Sequence, residues 1–561
     1  MDIRRTILWM ILTFSLLLLW NNWQTYNGKP SMFGPSLTSQ TTNAEVQAQQ
    51  QAQVADASVP TATAAAAPAA VSTVPGDQAP AADAQSREIE VNTDVLRLTF
   101  DTLGAQLVRA ELPQYTIPPD SDEPFTLLDR RPGYVYVAQT GVVGAPAGQN
   151  WPTHLTPFRY VGQEQQGGRT EVRFEAESDG VRVVKIYALT PNTYDILVRH
   201  EIHNLGSAPI QPSLYWQLER DGNEPPGGSS FYATFTGPAV YSAEDKYQKI
   251  DFSDLDKGRG SYTRNADNGW IGMVQHYFAT AWVPAPGIQR HNEALRIGDN
   301  LYAIRTLASA GSIAPGQSQS VDAYLWTGPQ DQQAMGDLAP GLELVVDYGW
   351  LTIIAKPVFK LMTWLHTLLG NWGWTIVALT VLIKLAFYPL SAASYRSMAK
   401  MKKFTPRLQA LREKYGDDKA KMNQAMMELY RTEKINPLGG CLPMLVQIPV
   451  FIALYWVLLG SVEMRGAPWI LWIQDLSARD PWFILPAVMM ATMFLQIKLN
   501  PTPPDPMQAR IMMIMPLVFG GMMFFFPAGL VLYWVVNNIL SIAQQRFVMY
   551  QIDKADAAAS R

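Results

Sequence analysis

From Arg87 to about Pro340, apolar and polar residues alternate one by one. EIEVNTDVLRLTFDTLGAQLVRAEL, RTEVRFEAESDGVRVVKIYALT and YDILVRHEIHNLGS read as strands separated by Gly, Asn and Pro turns. Windows with helical spacing are nearly absent there, so residues 87–340 are expected to form a large antiparallel β-sandwich. The period then changes. In GLELVVDYGWLTIIAKPVFKLMTWLHTLLGN (341–371), Leu344, Val345, Trp350, Ile354, Val358, Leu361, Met362 and Leu365 recur at helical spacing. Lys356 and Lys360 lie on another side. This predicts an amphipathic helix in a membrane interface, with a core helix of the preceding domain as the alternative, and Pro357 is expected to break the run.

Beyond it the pattern is that of a membrane protein. Apolar runs at 372–390, 439–460, 482–498, 511–527 and 528–547 predict five spans. Several hold only about 16 apolar residues, a rise of ~24 Å against a hydrocarbon core of ~30 Å. Short spans imply a thinned bilayer or shelter by neighbouring helices. Residues 391–438 step by three or four at Met398, Met401, Phe404, Leu408, Leu411 and Tyr415, and again at Met422, Met426, Leu429 and Tyr430. Gly416-Asp417-Asp418 separates the two series, which predicts a helical hairpin with Pro406 bending its first arm.

Residues 1–23 carry Arg4 and Arg5 and then an uncharged run, Thr6–Trp20, flanked by Trp23. The interfacial tryptophans and the lack of an A-x-A-like site favour an uncleaved anchor over a cleaved signal peptide. That makes six spans. Residues 24–86 are rich in Ala, Gln and Pro and read as a flexible linker.

Charge divides the chain in the same way. Over 561 residues the net charge is −4, but residues 23–340 hold 21 Lys/Arg against 34 Asp/Glu, and the remainder holds 23 against 14. Residues 391–438 hold eleven Lys/Arg and five Asp/Glu, which places that loop in the cytoplasm by the positive-inside rule. Both termini then lie in the cytoplasm and the β-domain on the other side of the membrane. The loop 461–481 faces outside, while 499–510 and the tail 548–561 face inside. The hairpin's charge is either a solvated face or a contact for anionic lipid, nascent chain or ribosome.

Candidate chemistry is sparse. The single Cys441 excludes an intrachain disulfide and reads as a packing residue. His200 and His203 point to opposite faces of a strand and read as sheet residues rather than metal ligands. Tyr215, Trp216, Tyr232 and Trp270 either line a sugar-binding groove or belong to the sheet core. No nucleophile elbow, H-E-x-x-H, phosphate loop or intramembrane carboxylate pair is present, so no enzyme activity, cofactor or metal is expected. What stands out is polarity inside the spans. Thr380 and Lys384 are i and i+4 on one helix face, Gln447 lies on another span, and the series Asn537, Asn538 and Ser541 lies on a third. Such groups at similar depth suggest a shared hydrated cavity. The alternative for Lys384 is a stem that snorkels to the cytoplasmic surface. The methionines of 511–526 offer a soft surface for varied apolar partners, or ordinary packing about Gly520 and Gly521.

NPLGGCLPMLVQIPVFIALYWVLLGSVE, KLAFYPLSAASYRSMAKM and FPAGLVLYWVVNN closely resemble the YidC-type membrane protein insertases of Gram-negative bacteria. The resemblance covers essentially the whole chain and implies a supersandwich periplasmic domain in which sugar processing is not the role. It implies a groove open to cytoplasm and lipid, with Lys384 as its charge and Thr380, Gln447, Tyr533, Trp534 and Asn537 as polar or aromatic lining. It implies an apolar slide for substrate helices at Ile448, Pro449, Phe451, Pro516, Leu517, Gly520 and Met522. Where the family often has arginine, lysine keeps the charge and loses the planar fork, so the resemblance carries attraction but not bidentate contact. Nascent inner-membrane proteins, the SecYEG translocon, SecDF, membrane lipids and the ribosome are the implied partners, with no nucleic-acid specificity. The short, nearly neutral tail argues against tail-driven ribosome binding. A small-molecule anion transporter and a membrane-tethered periplasmic carbohydrate-binding protein are the alternatives, and no internal repeat favours the transporter.

Overall fold

The computed structural model describes residues 59–60, 86–116, 123–225, 234–415, 419–432, 442–499 and 506–559. The expected anchor (1–23), nearly all of the linker, Tyr232 and Cys441 lie outside these residues. The chain divides into two units, Met1–Val346 and Asp347–Arg561.

The first unit is a sandwich of two nine-stranded sheets, with every named pair antiparallel. One runs, in spatial order, β1 (Glu88–Asn92), β2 (Arg97–Asp101), β3 (Gln106–Thr116), β4 (Pro124–Arg131), β5 (Tyr134–Val143), β10 (Ser213–Asp221), β17 (Leu301–Ser309), β16 (Arg290–Gly298) and β13 (Asn265–Ala266). The other runs β12 (Lys246–Lys249), β11 (Gly237–Ser242), β14 (Trp270–Gln275), β15 (Phe278–Pro284), β18 (Ser318–Pro329), β9 (Asp195–Asn204), β8 (Val181–Leu189), β7 (Arg169–Ser178) and β6 (Arg159–Gln166). Alternation made this legible. In β9 (Asp195–Asn204) every second residue is buried, as the pleat requires. The sheets meet through side chains that reach across. The Tyr136 hydroxyl donates to the Met273 carbonyl at 3.2 Å, and Trp282 Nε1 donates to the Gln217 carbonyl at 3.1 Å. Phe125 stacks on Phe278 with centroids 4.1 Å apart. At the outer edge β6 (Arg159–Gln166) is exposed and polar, which discourages pairing with another chain. Two short helices, α1 (Phe252–Asp256) and α2 (Gln332–Leu338), complete the unit.

Of the aromatics that could have lined a sugar groove, Tyr215, Trp216 and Trp270 are buried in the sheets. His200 is buried with Nε2 at 2.8 Å from the Thr140 hydroxyl, whereas His203 is partly exposed on the opposite face.

The second unit is helical: α3 (Thr352–Leu369), α4 (Trp372–Ala386), α5 (Tyr388–Tyr415), α6 (Lys419–Thr432), α7 (Leu442–Gly460), α8 (Ile484–Leu499), α9 (Pro506–Met523) and α10 (Ala528–Ala559). Several boundaries differ from expectation. Pro357 lies inside α3 and does not break it. A proline forfeits one i→i−4 bond, and burial of Ala355, Phe359, Met362 and Leu365 against α4 and α7 holds the helix. The buried stripe is therefore rotated from the one expected, with Ile354, Val358 and Leu361 at its flank. The run 372–390 is not one straight helix. It bends by 64° between α4 and α5, because Pro389 is tolerated in the first turn of a new helix but not in the interior of a continuing one. Helix α5, expected as the first arm of a hairpin, thus starts at Tyr388 and runs through Pro406 without a break. The last helix continues to Ala559, so residues expected as a tail prolong α10; Gln, Arg, Met, Lys and Ala there are strong helix formers. Among the described residues no single helix is long and apolar enough to cross a membrane, though the bent pair α4–α5 passes together.

Candidate functional site

The helix ends converge on a folded segment, 461–483, where the sequence predicts a loop over 461–481. Asp480, which is buried, organises it by accepting hydrogen bonds from Trp472 Nε1 at 2.9 Å, from the Trp482 backbone at 3.0 Å and from the Leu485 backbone at 2.7 Å, and so caps α8. The segment is pinned to the start of α10 by Ala528 N–H to the Ala478 carbonyl (2.7 Å) and Gly529 N–H to the Leu476 carbonyl (2.9 Å). It is also pinned to the start of α4. The Asn371 side chain caps that helix through Trp374 N–H and donates to the Pro468 and Trp469 carbonyls. A Cβ on Gly373 would collide with the Trp469 ring, so glycine allows this close approach.

Lys384 lies twelve residues further along α4, ~18 Å of rise from that capped end. It is buried, and its Nζ donates to Ser541 Oγ at 2.7 Å. Ser541 Oγ in turn donates to the Asn537 carbonyl at 2.7 Å, and Gln447 Nε2 donates to Asn537 Oδ1 at 2.9 Å. One polar chain therefore runs through α4, α10 and α7. Gln544 Nε2 donates to the Lys384 carbonyl at 3.2 Å, and the Tyr395 hydroxyl of α5 donates to the Ser541 carbonyl at 3.3 Å. Asn538, on an adjacent face of α10, donates to Thr492 Oγ1 of α8 at 3.2 Å. Among the described residues no carboxylate pairs with Lys384.

Of the groove residues expected from sequence, Lys384, Gln447 and Asn537 are thus joined. Thr380 is buried but bonds back to the Ile376 carbonyl of its own helix at 2.6 Å, leaving it beside the chain rather than in it. Tyr533 and Trp534 flank Phe451, with ring centroids 5.9 and 4.6 Å away, and Phe519 of α9 packs edge-on to Trp534 at 5.2 Å. Trp534 Nε1 and Gln544 Oε1 are buried without a partner among the described residues. The expected slide residues separate. Ile448, Leu517 and Met522 are exposed, Pro449 and Phe451 are half-buried, and Pro516 and Gly520 face inward. A Cβ on Gly520 would press on the Met490 side chain of α8 at 3.1 Å. Much of α9 is bare: Ile511, Met513, Ile514, Met515 and Val518 are also exposed. Ser541 is one of the polar groups expected from the sequence to share a cavity, whereas Gln544 and Tyr395 join the chain without having been expected there. For Ser541 the i, i+4 spacing with Asn537 was the available signal.

An apolar helical unit with a buried cationic and amide chain, joined to an antiparallel sandwich, has the make-up of a membrane-embedded protein. Comparison with known proteins specifies it. Residues 88–361 match the family model described as the YidC periplasmic domain, and residues 364–555 that of the 60Kd inner membrane protein. The membrane protein insertase YidC of Bordetella pertussis is 67% identical over the full length of both chains. That of Cupriavidus necator is 51% identical over 100% of this chain and 99% of its own. A crystal structure of an active YidC insertase with its first transmembrane domain resolved is 18% identical, covering 81% of this chain and 91% of that one, with a TM-score of 0.40. The chain belongs to the YidC family of membrane protein insertases. Neither the anion-transporter nor the carbohydrate-binding reading gains support from these relatives.

Proposed function

We propose that this insertase works through the Lys384 chain, offering a fixed positive charge and unspent hydrogen-bonding groups to the polar part of an incoming membrane segment. The observation that supports it is the Lys384–Ser541–Asn537–Gln447 connection, a cation buried among apolar helices with hydroxyl and amide neighbours and, among the described residues, no counter-carboxylate. An ammonium has three donors and Ser541 takes one. Trp534 Nε1 and Gln544 Oε1 add one unspent donor and one unspent acceptor. A translocating acidic segment gains charge-assisted hydrogen bonds there at no cost of separating an existing ion pair. The groove opens to the cytoplasm and lipid, and the folded 461–483 segment closes its periplasmic side. Substrate helices leave across Ile448, Pro449, Phe451 and the exposed face of α9, where Leu517 and Met522 offer a deformable apolar surface. Pro516 and Gly520 shape that face from behind by letting α8 approach. No covalent chemistry is involved.

In this reading the chain has six spans in the bacterial inner membrane, with both termini and the α5–α6 hairpin in the cytoplasm and the sandwich in the periplasm. Nascent inner-membrane proteins are its substrates, SecYEG and SecDF its partners for larger ones, and the hairpin its contact with ribosome or lipid headgroups. The test is insertion into proteoliposomes, scored by protease protection, of substrates with acidic translocated segments. Lys384→Ala impairs insertion and Lys384→Arg retains it. Normal insertion by both Lys384→Ala and Lys384→Glu would falsify the electrostatic reading.

A further inference from the structure

Within the expected linker the structure describes one dipeptide, Val59–Pro60. Val59 packs against Val143, Tyr215 and Leu307, and Pro60 is buried. These three partners sit on the neighbouring strands β5 (Tyr134–Val143), β10 (Ser213–Asp221) and β17 (Leu301–Ser309). The register sets Tyr215 opposite Leu307 on one side and opposite Gly141 on the other, and Val143 follows Gly141 by two. All three side chains therefore share one face. Thr140 points the other way, toward His200 of the second sheet, so the shared face is the outer one.

The seat is preformed. A side chain at Gly141 would collide with the Tyr215 hydroxyl, so its absence lets the Tyr215 ring lie across β5. The hydroxyl is held by the His154 backbone N–H at 3.1 Å and lies 2.5 Å from His154 Nδ1. A Val-Pro pair suits such a seat, because a β-branched residue and a proline ring lose little freedom on docking. Chain length permits it. β1 and β10 are five strands apart in the sheet, ~24 Å, and the residues between Pro60 and Glu88 reach at most ~90 Å.

We infer that the outer face of β5, β10 and β17 is a docking site for the chain's own linker, with Val59-Pro60 as its occupant. Docking there sets how far the sandwich can stand from residues 1–23. The connecting length becomes residues 24–58, with a greatest reach of ~120 Å, instead of 24–86, with a greatest reach of ~220 Å. The linker holds a second copy of the pattern, Thr73-Val74-Pro75, which is also within reach of the seat, ~40 Å of chain from Glu88. It is the natural competitor.

Spin labels at Ala57→Cys and Ser309→Cys, in the full chain carrying Cys441→Ser in lipid nanodiscs, read the docking directly. The expected result is a narrow, short distance distribution that is lost in Val59→Asp and retained in Val74→Asp. Neither substitution lies in the sandwich strands, so folding is unaffected, and a circular-dichroism melt checks this. A broad distribution in the parent, or a narrow one that survives Val59→Asp, overturns the site. Loss in Val74→Asp but not in Val59→Asp overturns the assignment of the occupant.

Discussion

Lys185 in the sandwich and Lys384 in the helical unit are both buried cations without a carboxylate partner among the described residues, yet their surroundings differ in kind. Lys185 Nζ donates to the Gly104 carbonyl at 2.7 Å and the Thr140 carbonyl at 2.8 Å, and lies over the Phe158 ring at 4.7 Å. Those acceptors are backbone atoms of the opposite sheet and its turn, so the ammonium is a fixed cross-brace with two of its three donors on carbonyls and an aromatic ring beside it. Burial pushes it down to about 7 from its ordinary 10.5. Among the described residues Lys384 has one side-chain partner, a serine hydroxyl on another helix, and keeps donors in reserve. A buried cation braced on backbone carbonyls holds a structure together, whereas one held by a single hydroxyl is suited to a transient guest.

The widest separation between the two sites appears on truncation. Lys185→Ala leaves two buried carbonyls without their donor and opens a cavity, and should lower the stability of the sandwich by about 3–5 kcal/mol. The thermal transition of the full chain in detergent measures this, and Lys185→Met, which fills the volume, should cost less. A loss below about 1 kcal/mol would remove the cross-brace.

Protons probe the same site. The unfolded lysine binds a proton up to about pH 10.5 and the folded one only to about 7, so stability should rise with pH across that window. The slope is at most about 1.4 kcal/mol per pH unit. His154 acts at lower pH. Burial first, then the Lys185 and Arg305 charges, push it down to about 3. His200 is lowered in the same direction by burial and by Lys185. Both unfolded imidazoles gain protons below about 6.5, so stability should fall as pH drops from there toward 3. Denaturant titrations from pH 4 to 10 test both limbs, and the upper limb should flatten in Lys185→Met.

At the helical site the effect should appear in function instead. Lys384→Glu should reduce insertion of acidic substrates about tenfold, equivalent to ~1.4 kcal/mol, while the thermal transition of the sandwich stays unchanged. Asn537→Leu, which removes the acceptor of Gln447 but not the Lys384–Ser541 bond, should reduce insertion only a few-fold, in keeping with one neutral hydrogen bond of about 1 kcal/mol. If Asn537→Leu proved the more harmful, the charge would not be the centre of the site.

Much of this was legible along the chain, for reasons visible in particular residues. β7 (Arg169–Ser178) and β9 follow their alternating pattern residue by residue, because a pleated strand with one buried face has no other way to divide its side chains. Lys384, Gln447 and Asn537 were conspicuous because charged and amide groups in apolar runs are costly and stand out. Less was legible at boundaries and partners. The bend after Ala386, the helix running to Ala559 and the folded 461–483 segment all depend on what packs alongside. Thr380 shared a helix face with Lys384 in the sequence, yet its hydroxyl spends itself on its own backbone. Lys185 and His154 drew no notice at all, since nothing in local pattern marks one sheet residue as bridged to the other sheet.

Period and charge, which are local properties, determined by themselves that this chain pairs an acidic antiparallel sandwich with an apolar helical unit containing one conspicuous lysine. Tertiary structure decided which donor meets which acceptor: Lys384 with Ser541, Gln447 with Asn537, Lys185 with two carbonyls, Val59 with its seat on the sheet. Those pairings join residues far apart in sequence, and only the packing of whole elements brings them within hydrogen-bonding or van der Waals distance.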